Sequence, residues 1–188
     1  MTRKLTALVA ATISGAALAA APVHLTTAQA ASAPAQQTPF DLQAHRGGIG
    51  LTVENTLASF DKAIRLGVST LELDVQITQD GQAVVTHDRQ VNGNKCQDTG
   101  PVTPGDPEYP YVGKYINTLT LAQVRTLDCG SQTLADFPQQ QASPGERMPL
   151  LSEVFDLVKA YDADSVKLNV ESKASTLLST LSFTESAS

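Results

Sequence analysis

Ser69-Thr70-Leu71-Glu72-Leu73-Asp74-Val75-Gln76 decides how the rest of this chain is read. Leu71, Leu73 and Val75 alternate with Glu72, Asp74 and Gln76, and a period of two marks a strand with one apolar and one polar face. Residues i and i+2 of a strand project the same way, about 6.6 Å apart. At an effective dielectric of about 20, two carboxylates at that spacing repel by roughly 2.5 kcal/mol. A strand that keeps Glu72 and Asp74 side by side either exposes that face to water or draws on compensating charge. A hard divalent cation held by carboxylate oxygens is one such source.

Working outward, the same alternation recurs at Ser165 to Glu171, with Val166, Leu168 and Val170 on one side and Lys167, Asn169 and Glu171 on the other. Glu171 is thus a third carboxylate for the same cation, or a solvated strand end. Phe40 to Ala44 reads as a short strand running into His45-Arg46-Gly47-Gly48. Ala83 to Thr86, after the turn signal Asp80-Gly81, reads as another and leads into His87-Asp88. Between them, Leu57, Phe60, Ala63 and Ile64 are spaced for a helix, with Asn55 or Thr56 as its cap and Gly67 as its stop. Thr120 to Leu127 reads as a short helix, and Ser152 as the cap of one running to about Tyr161. Strands alternating with helices predict an α/β domain with a mostly parallel sheet.

Two histidines that each follow a strand can serve as an acid–base pair, one taking a proton and one giving it. Each is also open to a plain structural reading as a hydrogen-bonded side chain. Arg46 offers a planar fork for a phosphate, and the glycines after it let a ligand approach the backbone.

The N-terminus has a different character. Arg3 and Lys4 precede an uncharged Ala- and Leu-rich run to Ala21, and Ala28-Gln29-Ala30 places small residues where a signal peptidase reads. Residues 1–30 are expected to be a secretory signal peptide, a membrane anchor being the alternative. Residues 31–39 read as a linker. A secreted destination favours joining the two cysteines, Cys96 and Cys129, in a disulfide, with two free thiols as the alternative. A net charge of −6 argues against a nucleic-acid partner.

The run HRGGIGLTVENTLASFDKAIRLGVSTLELDVQITQDGQAVVTHD, His45 to Asp88, resembles the N-terminal block of glycerophosphodiester phosphodiesterases, and Leu168 to Lys173 (LNVESK) resembles a later strand of that family. The resemblance implies a TIM-type β/α barrel that hydrolyses glycerophosphodiesters to sn-glycerol 3-phosphate and an alcohol. It implies His45 and His87 as the acid–base pair and Glu72, Asp74 and Glu171 as ligands of one calcium or magnesium ion. Arg46 and Lys173 become phosphate contacts. Glu54 and Asn55 fall in a motif whose role reads as mainly structural. On this view residues 40–173 are the catalytic domain, and an insertion of about residues 91–149 overhangs the site, pinned by Cys96–Cys129. Residues 174–188 form a tail outside the match. A complete barrel takes about 250 residues, more than the 188 here, so the expectation is a partial barrel cut after about half its length. Two alternatives stand beside it: an inactive remnant, and a related phospholipase D acting on lysophospholipid or sphingomyelin. The partners implied are a small glycerophosphodiester and no stable membrane anchor once the signal is removed.

Overall fold

The computed structural model describes residues 40–173. The expected signal peptide, the linker and the 174–188 tail lie outside the described residues. Four strands and three helices follow in the order β1 (Gln43–Ala44), α1 (Leu57–Leu66), β2 (Thr70–Ile77), β3 (Ala83–Val85), α2 (Leu121–Val124), α3 (Leu151–Ala160) and β4 (Lys167–Ser172). The first strand is shorter than Phe40–Ala44, and Phe40 and Leu42 are exposed.

Local chemistry accounts for the element ends. Thr56, of the two candidate caps, starts α1. Its Oγ1 accepts from Ser59 N at 3.1 Å, and Ser59 Oγ accepts from Thr56 N at 3.2 Å, a reciprocal arrangement that satisfies two orphan donors of the first turn. Gly67 ends the helix in the left-handed region at φ 77°, where a Cβ would be strained. The expected Ser152 cap is corrected. Leu150 holds that position and Ser152 lies inside α3; the Glu153 carboxylate accepts from Leu150 N at 2.7 Å, which ties the first turn back to the cap residue without a hydroxyl there. The short helix α2 starts as expected at Thr120 but stops at Val124.

The sheet is mostly parallel, with one exception that the sequence did not announce. β1 and β4 both run parallel to β2, but β3 is antiparallel to it. Only a tight turn at Asp80-Gly81 joins β2 to β3, and a parallel pairing needs a crossover of a dozen residues or more. The register places the strands around β2. Leu71 pairs with both Ala44 and Leu168, and Val75 with both Val85 and Ser172. A residue has two edges, so β4 occupies one edge of β2 along its length while β1 and β3 share the other.

Leu71, Leu73 and Val75 turn toward the helices. They pack with Phe60, Ala63 and Ile64 of α1 and Val154 of α3 in one apolar core. Burying a side chain such as Phe60 contributes roughly 1.5–3 kcal/mol. The segment after His87 is packed rather than an open loop. Val91, Tyr111, Ile116, Leu119, Val124, Leu127 and Met148 close a second core around Cys96 and Cys129. Those two cysteines form the expected disulfide, 33 residues apart in sequence.

Candidate active site

The polar face of β2 is not solvated. Glu72 and Gln76 are each 8% exposed and Asp74 1%, which removes the reading of harmless surface charges. Parallel register sets Glu72 opposite Asn169 and Asp74 opposite Glu171, and paired residues of neighbouring strands project to the same side. Carboxylate oxygens of Glu72, Asp74 and Glu171 consequently lie within 4.8 Å of one another. Three hard oxygen donors at that separation suit calcium or magnesium.

A backbone donor and two cations already stand among them. The backbone N–H of Arg46 donates to Glu72 Oε2 at 2.6 Å. Lys173 Nζ lies 3.1 Å from Asp74 Oδ1 and donates to Glu171, and its bond to Glu171 raises the lysine's pKa. The guanidinium of Arg46 spans both Glu54 oxygens, at 3.2 and 3.3 Å. Its buried Nε sits 3.5 Å from Asp74 Oδ2 without hydrogen-bond geometry. Asn55 holds Asp74 in place through Nδ2, which donates to Oδ2 at 3.1 Å.

The chain segments that carry His45 and His87 approach this cluster along one edge of β2 from opposite directions. His45 follows Ala44, the partner of Leu71, and so stands level with Glu72. His87 lies two residues past Val85, the partner of Val75, and arrives level with Leu73. Neither chain can continue along that edge without meeting the other. Arg46, Gly47 and Gly48, all left-handed at φ 52°, 77° and 103°, turn the first one away. Arg46 is the informative member, since non-glycine residues adopt this region at a cost and mostly where a site demands it.

His87 has a fixed partner. Its Nδ1 is 2.8 Å from Asp88 Oδ1. A carboxylate only accepts, so Nδ1 carries the hydrogen and Nε2 is left to meet a ligand. Burial alone would raise the Asp88 carboxyl, but hydrogen bonds from His87, Asn92 and Lys95 outweigh it and hold it well below the usual carboxylate range. A cavity of about 780 Å³ is bordered by His87, Asp88, Tyr115, Glu171 and Lys173 among others. Tyr115 and Gly113 come from the 91–149 segment, which thus walls this side of the site. His45 is outside that lining, at the exposed end of its turn.

Lys95 was not singled out in the sequence, and two residues that were named do more than expected. Glu54 and Asn55, assigned a mainly structural role, pair directly with Arg46 and Asp74. Lys95 places Nζ 2.8 Å from Glu54 Oε1 and 2.9 Å from Asp88 Oδ2. No local pattern marks it. Its position beside Cys96 was the available signal, because the disulfide anchors that part of the segment. Three cations, Arg46, Lys95 and Lys173, therefore stand among five carboxylates, Glu54, Glu72, Asp74, Asp88 and Glu171.

The sequence model of the glycerophosphoryl diester phosphodiesterase family matches residues 45–185, past Lys173. A glycerophosphodiester phosphodiesterase of Caldanaerobacter subterraneus subsp. tengcongensis is 36% identical over 135 residues, 72% of this chain and 46% of its own length. Human lysophospholipase D is 36% identical over 113 residues, 60% of this chain and 31% of its own. The crystal structure of an Oleispira antarctica phosphodiesterase in complex with the product sn-glycerol-3-phosphate superposes with a TM-score of 0.55 at 29% identity, covering 74% of this chain and 47% of that one. The chain spans less than half the length of each. Across the matched residues, the chain belongs to the glycerophosphoryl diester phosphodiesterase family.

Proposed function

We propose that this chain carries the metal-binding and acid–base elements of an enzyme that hydrolyses glycerophosphodiesters to sn-glycerol 3-phosphate and an alcohol. The observation that carries the reading is the cluster of Glu72, Asp74 and Glu171 within 4.8 Å, placed where His45 and His87 converge on one strand edge. Glu72, Asp74 and Glu171 would hold calcium or magnesium, which when bound polarises phosphoryl oxygens and offsets developing charge. His87, with Nδ1–H committed to Asp88, presents Nε2 as the base, and Asp88 stabilises the imidazolium that results. His45, exposed and directly after β1, gives a proton to the departing alkoxide. Arg46 and Lys173 supply positive charge for the phosphate. The disulfide and the leader-like N-terminus support a location outside the cytoplasm.

A second reading, hydrolysis of lysophospholipids, is favoured by the 36% identity to human lysophospholipase D. Both readings use the same carboxylates and histidines and differ in what the cavity beside His87 accepts.

The test is phosphodiester cleavage by the full chain, with glycerophosphocholine and lysophosphatidylcholine assayed in parallel, in calcium or magnesium and after chelation. The first reading expects glycerol 3-phosphate from the first substrate and its loss on chelation. Turnover of the lysophospholipid alone selects the second reading. Release that survives chelation removes the metal assignment, and no cleavage of either substrate removes both readings.

A further inference from the structure

Outside the carboxylate cluster, one chain of alternating charge crosses the site. It runs from Arg46 to Glu54 at 3.2 Å, from Glu54 to Lys95 at 2.8 Å, from Lys95 to Asp88 at 2.9 Å and from Asp88 to His87 at 2.8 Å. Its ends lie in the two turns that bear the histidines, since Arg46 is next to His45 and Asp88 next to His87. Its middle member comes from neither turn. Lys95 is delivered by the segment after His87, one residue before the disulfide-bonded Cys96. Its backbone N–H and that of Cys96 both donate to Asn92 O at 2.9 Å, which fixes the turn that presents it.

The two oxygens of Asp88 divide the work. Asn92 Nδ2 and Lys95 Nζ both take Oδ2, at 2.8 and 2.9 Å, leaving Oδ1 to His87. A carboxylate held by two donors on one oxygen cannot swing, so the ring bonded to the other oxygen is held as well. Glu54 is 7% exposed and Lys95 is largely covered. Neither charge can be stranded there cheaply, because removing one partner of a buried pair leaves the other uncompensated.

We propose that Lys95 is a positioning residue that locks Asp88, and through it the His87 ring, while tying the His87 turn to the Arg46–Glu54 turn on the far side of the site. Lys95 makes no claim on the substrate. It acts by restricting the imidazole to the orientation in which Nδ1–H meets Asp88 and Nε2 is presented. The effect on catalysis rests on the phosphodiesterase reading above, but the effect on the imidazole does not.

The experiment compares wild type, Lys95→Met, Lys95→Gln and Lys95→Arg in the full chain, with Lys159→Met, on the exposed face of α3, as a control. Nitrogen-15 and proton NMR of the histidines reads the His87 Nδ1–H signal, and glycerophosphocholine hydrolysis reads the rate. In wild type the Nδ1–H resonance is expected to be protected from exchange. Lys95→Met and Lys95→Gln are expected to broaden or lose it and to lower kcat by about 10–100-fold, the usual effect of removing an outer-shell orienting partner. Lys95→Arg, which keeps a cation between the two carboxylates, is expected to restore the resonance and most of the rate. The glutamine variant supplies the uncharged case if methionine is not accommodated. A protected Nδ1–H signal in an uncharged variant that folds would overturn the proposal. So would an arginine variant no better than glutamine. If wild type hydrolyses no substrate, the functional reading falls while the resonance still decides the role of Lys95.

Discussion

Asp74→Asn keeps the shape of a side chain that is 1% exposed and removes its charge. Two cations attract Asp74: Lys173 at 3.1 Å and Arg46 at 3.5 Å, each contributing about 5 kcal/mol at an effective dielectric of about 20. Two carboxylates oppose it, with oxygens of Glu72 and Glu171 within 4.8 Å, each costing at least about 3.5 kcal/mol on the same scale. The balance is a loss of at most about 3 kcal/mol on neutralisation, at the lower edge of what breaking a buried pair costs.

A divalent cation changes the comparison. At about 100 times its dissociation constant it stabilises a protein that holds it by about 2.7 kcal/mol. The variant lacks the most buried of the three proposed ligands and should gain little of this. The gap between wild type and variant is therefore expected to widen from at most about 3 kcal/mol in chelator to at most about 6 kcal/mol in saturating calcium or magnesium. Guanidinium unfolding followed by circular dichroism, with and without the ion, measures both gaps. Equal stabilisation of the two proteins by the cation would show that Asp74 is not a ligand. A variant more stable than wild type in chelator would show that repulsion among the carboxylates outweighs the two cations.

Three further outcomes follow from other parts of the molecule. Gly47→Ala is expected to destabilise the chain by at least about 1 kcal/mol, since φ is 77° and a Cβ would lie 2.3 Å from Ser59 Oγ, the atom that completes the α1 cap; thermal unfolding checks it. Burial raises the pKa of Glu146, against hydrogen bonds from Leu57 and Ala58 N–H that lower it. Its contribution to stability is therefore present below the unfolded value of 4.5 and lost as pH rises through the folded value. Glu146→Gln is accordingly expected to raise the unfolding midpoint at pH 7, with the difference closing toward pH 4 in a pH series of denaturant titrations. Replacing both Cys96 and Cys129 by alanine reopens a 33-residue loop and is expected to cost about 3–4 kcal/mol in the chain-entropy picture, measured against the oxidised wild type.

The parts of this architecture visible in the sequence are those governed by period and by local chemistry. Alternation located β2 and β4, and with them Glu72, Asp74 and Glu171, because a side chain's face follows from its position in the strand. Gly67 marked the end of α1 through its own backbone. Leu150 escaped because its side chain has no capping group, and a serine nearby looked more suitable. The direction of β3 escaped because three apolar residues carry no record of which neighbour they pair with. Lys95 escaped for a related reason: its partners are 41 residues earlier and 7 residues earlier, and only the tertiary path of a disulfide-anchored segment brings them together.

The antiparallel β3 also brings the two histidine-bearing turns to the same edge of β2. A parallel strand on that edge of β2 would have run alongside in the same sense as β1, and its C-terminal end would have lain away from the end of β1. Reversing it brings the residue after β3 back toward the residue after β1, so that two strand ends, rather than one, point at Glu72–Asp74. The cost is a head-on meeting of two chains on one edge, and the left-handed run at Arg46–Gly48 is how the first chain leaves. That same turn directs Arg46 N at Glu72 and its guanidinium at Glu54. The strained backbone, the reversed strand and the buried carboxylates are thus consequences of one packing problem, solved where the acid–base pair and the cation are proposed to act.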